Sequence, residues 1–241
     1  MSDTAFQSTQ HNAAREAMIQ LRPEDVVAQG GERTVYVHPD RDDRLIKVIR
    51  LRHAHEFPGW SFGHITQRYF PSARYRPLIK QYSEYTRLHF AHIFDADFES
   101  PVSHLYGFTQ TNLGLGCLTE RVTDQDGQNA PTLARLVKRG QLTDDLLNSF
   151  NAFVRRLYDV SVCVGDANPN NFVYGQRHIG RHGKTSAPQW VLVDGFGDRF
   201  AIPLRTFSRR VRTLGLDDAF RRRNFPKGIR WNNDERRFDR E

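Results

Sequence analysis

The chain has 241 residues, 26% of them charged, 12% aromatic and 38% hydrophobic, with a formal net charge of +7. That length can bury a sizeable core as one domain or two lobes, and the composition excludes a disordered or low-complexity chain. No run approaches the ~20 apolar residues that a membrane-spanning helix needs, and residues 1–20 lack the apolar run of a secretory leader, so a cytoplasmic location is expected.

The two cysteines, Cys117 and Cys163, lie in apolar stretches and are expected as buried free thiols. His53 and His55 share a strand-like spacing without further ligands, so no metal site is expected there. The positive charge is concentrated at one end. From Arg205 to Glu241 there are twelve Lys/Arg and six Asp/Glu, nearly the whole excess.

Residues 1–20 form a polar segment expected to be mobile or loosely docked, with a thin apolar face that allows a short helix over 12–21. Val26, Val27 and Ala28, then Gly30 and Gly31, then Thr34 to Val37 predict a β-hairpin around a glycine pair. A polar turn over 39–43 leads to Leu45 to Ile49, the third of three consecutive antiparallel strands. Lys47 lies inside that run, where a lysine is disfavoured unless its amine meets something polar. The alternative is an edge-strand or outward-facing lysine that guards against aggregation.

Residues 51–77, rich in aromatic, histidine and basic side chains, read as an insertion. Leu78, Tyr82, Tyr85, Leu88 and His89 then recur at helical spacing over 78–93, with Glu84 as the acidic residue of that helix. A second hairpin is predicted from strands at 104–110 and 116–122 with a turn at 111–115, and the abruptly polar 123–129 reads as a linker between two lobes. Thr132 caps a helix to about Lys138, and Thr143 caps a long amphipathic one through Tyr158, with Asp144 and Asp145 complementing its dipole.

This helix delivers the chain, through the apolar 160–164, to Asp166, Ala167, Asn168, Pro169, Asn170 and Asn171. Phe172 to Tyr174 and Trp190 to Val193 read as two strands, the second ending at Asp194, Gly195, Phe196 and Gly197. Asp166 and Asn171 flank a proline-stiffened turn and can face one small volume, and Asp194 reaches the end of the next strand at a glycine turn. Oxygen donors so arranged suit a hard cation that also holds phosphate. Asp-Pro-Asn runs are also ordinary turn chemistry.

Beyond Gly197 the outstanding feature is basic: Arg209, Arg210 and Arg212, then Arg221, Arg222 and Arg223, with Asp217 and Asp218 as the expected start of a short helix. Such a segment is expected to form a basic surface beside the transfer cleft or to contact a phosphorylated or anionic acceptor. A merely solvated helix face is the alternative.

The order of parts resembles the core of protein-kinase-like phosphotransferases. The resemblance implies that Asp166 acts on the acceptor hydroxyl, that Asn171 and Asp194 hold Mg²⁺, and that Lys47 holds the α- and β-phosphates of ATP. It makes Glu84 the partner of Lys47, the alternative being an exposed glutamate that contacts its own helix. Gly30 and Gly31 would approach the phosphates, and a hinge over 119–122, with Glu120 and Val122, would offer backbone groups to adenine.

More finely, Ala28-Gln29-Gly30-Gly31-Glu32-Arg33, Ile46-Lys47-Val48, Gly107-Phe108-Thr109-Gln110-Thr111-Asn112-Leu113-Gly114, Asp124-Gln125-Asp126-Gly127 and Val193-Asp194-Gly195-Phe196-Gly197 resemble the bacterial YrbL family of PhoP regulatory network proteins, from about Pro23 to Pro203. The implied fold is α+β and bilobal: a small β-rich N-lobe over 21–122 and a truncated helical C-lobe over 123–241. Val164 and Gly165 stand where protein kinases place His-Arg, Asn168 where they place Lys, and no Ala-Pro-Glu element follows Gly197. An ordinary protein kinase is therefore not expected. Two functions are: an ATP- and Mg-dependent phosphotransferase acting on a small hydroxyl or sugar acceptor, or a pseudokinase regulator binding nucleotide, a protein partner or both. Nucleic acid is not an expected partner, because no helix-turn-helix or RNA-binding motif accompanies the charge.

Overall fold

The computed structural model describes residues 18–31, 33–50, 75–178, 185–197 and 209–241. The chain divides into two compact units, Met1–Tyr75 with Leu105–Arg121, and Arg76–His104 with Val122–Glu241. The α+β architecture anticipated from the sequence is the one found, a β-rich unit and a unit that carries the helices.

The first unit is a five-stranded antiparallel sheet of β1 (Val26–Gln29), β2 (Arg33–His38), β3 (Arg41–Ile49), β4 (Leu105–Thr111) and β5 (Gly114–Glu120), in the order β1-β2-β3-β5-β4. Alternation in β2 buries Thr34, Tyr36 and His38. Strand β3 lies between β2 and β5 and buries Ile46, Lys47 and Val48 in succession. The edge-strand reading of Lys47 is thereby overturned. Leu21, Tyr36, Ile46 and Val48 form the core of this unit, with Ile19 and Leu118 packed against it. Gly116 is required by that packing, since an added Cβ would lie 2.6 Å from the Ile46 side chain.

Three expectations change here. The turn at 39–43 shrinks to Pro39 and Asp40, because β3 begins at Arg41. The second hairpin closes through Asn112 and Leu113 alone, with Gly114 at φ +106. The helix expected over 12–21 does not extend through Met18 to Leu21. There Ile19 bridges Thr111, and the Asn112 side chain accepts from Leu21 N at 2.8 Å and donates to Leu21 O at 3.1 Å. Burying Leu21 in the sheet core outweighs local helix preference. Residues 1–17, most of the 51–77 insertion, and His53 and His55 lie outside the described residues.

The second unit contains α1 (Arg76–Ala91), α2 (Leu133–Lys138), α3 (Asp144–Asp159), a β6–β7 hairpin (Phe172–Gly175 and Gln189–Leu192), α4 (Arg209–Arg221) and a β8–β9 hairpin (Ile229–Asn232 and Arg237–Arg240). Helix α1, expected within the N-lobe span, groups with this unit, and its buried residues are Leu78, Gln81, Glu84 and Leu88. Thr132 and Thr143 cap α2 and α3 as predicted, accepting from Arg135 N and Leu146 N.

Phe150 on α3 centres an aromatic core, with ring centroids 5.4 Å from Phe172, 4.7 Å from Trp190 and 5.3 Å from Phe238. Phe220 on α4 adds contacts to Phe172 at 6.1 Å and Trp231 at 4.7 Å. The C-terminal segment is therefore core as well as charge. Asp217 and Asp218 lie in the middle of α4 and do not start it. The alternation Ile229, Trp231 and Phe238 with charged neighbours, which makes β8 and β9, was hidden by the arginines. Asn151, 7% exposed, clamps β9 by donating to Phe238 O at 2.9 Å and accepting from Phe238 N at 2.7 Å.

Candidate functional site

Asp166, Asn171 and Asp194 are brought together by the main chain. The N–H groups of Gly165 and Asp166 both donate to Gly195 O, at 2.8 and 2.9 Å. Val193 N donates to Asn171 O at 2.8 Å, Gly197 N to Cys163 O at 2.7 Å, and Val164 bridges Phe196. The loop from 165 to 171 and the glycine turn after β7 are thus stitched into one element. Gly195, at φ +77, is the residue that allows it: a Cβ there would lie 2.3 Å from Asp166 O and 2.6 Å from Asn171 Nδ2.

Side chains finish the arrangement. Asn171 Nδ2 donates to Asp166 O at 3.0 Å, leaving its carbonyl oxygen as an unused acceptor among the described residues. Asp194 Oδ1 accepts from Gly195 N at 2.7 Å. Asp166 Oδ1 accepts from Asn168 N at 3.1 Å, and Asn168 Oδ1 from Asn170 N at 2.9 Å, which sets the 3₁₀ turn Pro169–Asn171. Two carboxylates and one amide oxygen in a loop held open by Gly195 fit a hard, oxygen-seeking cation.

Glu84 is buried rather than exposed, and it faces the approach to this loop. Its carboxylate accepts from Arg87 Nε at 2.9 Å and Nη2 at 2.7 Å, one bidentate edge of the guanidinium, and from Cys163 N at 2.7 Å. Arg87 also donates to Ser161 O at 2.9 Å. Burial opposes the Arg87 charge, but the hydrogen bond and charge of Glu84 outweigh it and hold the guanidinium above its ordinary value. Helix α1 meets the glycine turn as well, where a Cβ on Gly197 would lie 2.8 Å from Lys80 O.

In the first unit, Lys47 is 5% exposed and faces Val35 on β2 and Cys117 on β5. Gly30 and Gly31 lie between β1 and β2, and Gly30 N donates to Arg33 O at 2.8 Å. Glu120 is buried at the end of β5. Val122 opens the second unit, its side chain packed with Ala130, Val173 and Val191 and its carbonyl accepting from Ala130 N at 3.0 Å. Cys117 and Cys163 are buried free thiols, and no group of three or more His, Cys, Asp or Glu side chains placed to hold a metal gathers among the described residues. No helix among them is long and apolar enough to cross a membrane.

One residue of the site was seen from the sequence only as part of a charged run. Arg223, just beyond α4, places a guanidinium nitrogen 2.5 Å from Asp166 Oδ1, while Arg221 and Arg222 pair with Asp218 at 3.4 and 2.7 Å.

The family model described as PhoP regulatory network protein YrbL matches residues 19–223. The chain belongs to the YrbL family. No curated protein sequence matches this YrbL-family chain. Among solved structures it is similar to the Rio2 kinase of Chaetomium thermophilum in its ADP/Mg²⁺-phosphoaspartate complex, with a TM-score of 0.45 and 14% identity over 89% of this chain and 59% of that one. It is also similar to the kinase domain of PF14_0431, with a TM-score of 0.37 and 13% identity over 70% and 48% of the respective chains. The chain thus spans less than two thirds of either kinase.

Proposed function

We propose that the protein is kinase-like and transfers the γ-phosphoryl group of ATP, with Mg²⁺, to a small hydroxyl or sugar acceptor. The observation that carries this reading is the convergence of Asp166, Asn171 and Asp194 on a loop pair joined at Gly195. Bound Mg²⁺ would neutralise charge on the phosphates. Asp194 and the Asn171 carbonyl oxygen are the groups proposed to hold it. Asp166 takes the proton of the acceptor hydroxyl as that oxygen bonds to the γ-phosphorus and the bond to the β–γ bridging oxygen breaks, leaving ADP.

Lys47 is assigned to the α- and β-phosphates; Glu84, whose carboxylate is taken by Arg87 and Cys163 N, is assigned to holding the approach to the Asp166 loop rather than to orienting that lysine. Gly30 and Gly31 are assigned to backbone contacts with phosphate, and Glu120 and Val122 to backbone contacts with adenine. Burial of Lys47 on a central strand supports its part of the reading, because a lysine is rarely placed there for solubility.

A second reading, a pseudokinase that binds nucleotide or a protein partner in a regulatory network, is favoured by the glycine hairpin. A Cβ on Gly30 would meet nothing closer than Arg33 O at 3.6 Å, so that position makes no demand for glycine.

Thermal stabilisation by ATP, with and without Mg²⁺, tests nucleotide binding. A ligand at 100 times its Kd adds ~2.7 kcal/mol by mass action. Stabilisation is expected only with the cation and is expected to be lost in Asp194→Asn. Equal response of that variant and the wild type to Mg-ATP would sink the metal assignment. ADP release on addition of hydroxyl compounds then separates an enzyme from a pseudokinase.

A further inference from the structure

Arg223 stands apart from the arginines beside it. Arg221 and Arg222 are 70% exposed and spend their charge on Asp218, one helical turn back. Arg223 is 36% exposed and reaches Asp166, itself 37% exposed, 57 positions earlier in the chain. Its position is held from below. The Arg223 N–H reaches Phe220 O at 3.4 Å, and Phe220 is fully buried. The Phe220 ring lies 6.1 Å from that of Phe172, the residue after Asn171. One aromatic layer therefore sets both the loop that carries Asp166 and the point from which Arg223 projects.

The contact leaves part of each group unused. Asp166 Oδ1 receives Arg223 and Asn168 N, whereas Oδ2 has no hydrogen-bond partner among the described residues. A guanidinium carries five donors, and the contact with Asp166 engages one terminal nitrogen. Ion pairs this open to solvent contribute little to stability, so an incoming anion can take over the arginine at small cost.

We propose that Arg223 is an anion-recognition residue of the acceptor site, so that the protein selects hydroxyl compounds carrying a phosphate or carboxylate. This rests on the phosphotransferase reading for the role of Asp166. A hydroxyl donating to Asp166 must come within about 3 Å of its carboxylate, which puts it within about 8 Å of the guanidinium. An anionic group a few bonds from that hydroxyl meets the Arg223 fork, and phosphate and carboxylate are the groups that match its geometry. Without an acceptor, Arg223 rests on Asp166. With one, the arginine turns to the anion and Asp166 is left to the hydroxyl.

The competition between Asp166 and the ligand anion gives the test. Inorganic phosphate is titrated calorimetrically into the full-length wild type, Arg223→Gln, Arg223→Lys, Asp166→Asn and the double variant Arg221→Gln/Arg222→Gln. Circular dichroism establishes that each variant is folded. Loss of Arg223 is expected to weaken binding about tenfold or more, Arg223→Lys less so, and the double variant less than about twofold. Asp166→Asn, which removes the competing carboxylate, is expected to bind several-fold more tightly, a gain that a purely structural arginine would not give.

In the presence of Mg-ATP, glycerol 3-phosphate is expected to bind and glycerol not to. Phosphate binding by Arg223→Gln equal to wild type, no gain in Asp166→Asn, or no binding of millimolar phosphate by the wild type would each overturn the proposal. If Mg-ATP fails to bind while the phosphate results hold, the transfer reading falls and the anion site stands.

Discussion

Two carboxylate–arginine junctions in the second unit use the same chemistry to opposite ends. In Glu84–Arg87 the side chains are 7% and 21% exposed, and the carboxylate also receives Cys163 N. In Asp166–Arg223 they are 37% and 36% exposed. Glu84 and Arg87 are neighbours on one helix that jointly grip the approach to the loop through Cys163 and Ser161. Asp166 and Arg223 come from distant segments and face solvent. The first junction is largely closed, since removing either charge leaves the other mostly buried and without its charged partner. The second is open, and water or a ligand can take either place. Rigidity and exchangeability are thus separated along the same stretch of chain, three residues apart at Cys163 and Asp166.

That contrast can be broken at either end. Glu84→Ala should have the largest effect, a loss of roughly 3–5 kcal/mol in urea denaturation, because Arg87 and Cys163 N both lose their acceptor. Glu84→Gln, which keeps an acceptor for Cys163, should lose less. Equal losses in the two variants would mean that charge alone matters there.

Tyr158 supplies an intermediate case. Its hydroxyl donates to Asp217 at 2.6 Å, and Asp217 also receives Arg236 Nε and Nη2, each at 3.0 Å. Burial first, then the hydrogen bond and charge of Asp217, push the Tyr158 pKa up against the opposing Arg236. The stabilisation from the neutral hydroxyl is therefore fully present below the ordinary tyrosine value of about 10 and is lost as pH rises above it. Tyr158→Phe should cost about 1–2 kcal/mol at neutral pH. Between neutral and alkaline pH it should also show a smaller fall in melting temperature than the wild type, and an identical fall would contradict the assignment.

Smallest of all, Arg223→Gln should change stability by at most ~1 kcal/mol despite its short contact with Asp166. A loss comparable to that of Glu84→Ala would show the second junction to be closed too.

What could be read in advance follows the range of the interactions. The caps at Thr132 and Thr143, both hairpins of the first sheet and the two strands that follow the Asp166 loop are local patterns, and they lie within a few residues of their predicted places. The burial of Lys47 also followed from its neighbours in the strand, once β5 was found on its far side. Pairings across long separations were not legible. Nothing near Glu84 announces Cys163, 79 positions on, and nothing in Arg221, Arg222 and Arg223 marks the third as different. Asp217 and Asp218 resemble a helix start because acidic residues favour one, yet Tyr158, Arg236 and the arginines after them satisfy both carboxylates in mid-helix. The β8–β9 hairpin left a weak trace, an aromatic alternation only two or three residues long amid heavy charge.

The clamp between Asn151 and Phe238 has a consequence for biosynthesis. The two residues are 87 positions apart, and although Phe172 and Trp190 can pack on Phe150 earlier, the side of that cluster covered by Phe238 stays open until β9 has been made. A chain emerging from the ribosome therefore carries α3 with Asn151 unclamped and one side of the Phe150 cluster open until that strand is complete. The second unit can complete its core only late, and during that interval it is the part of the nascent protein most in need of chaperone cover.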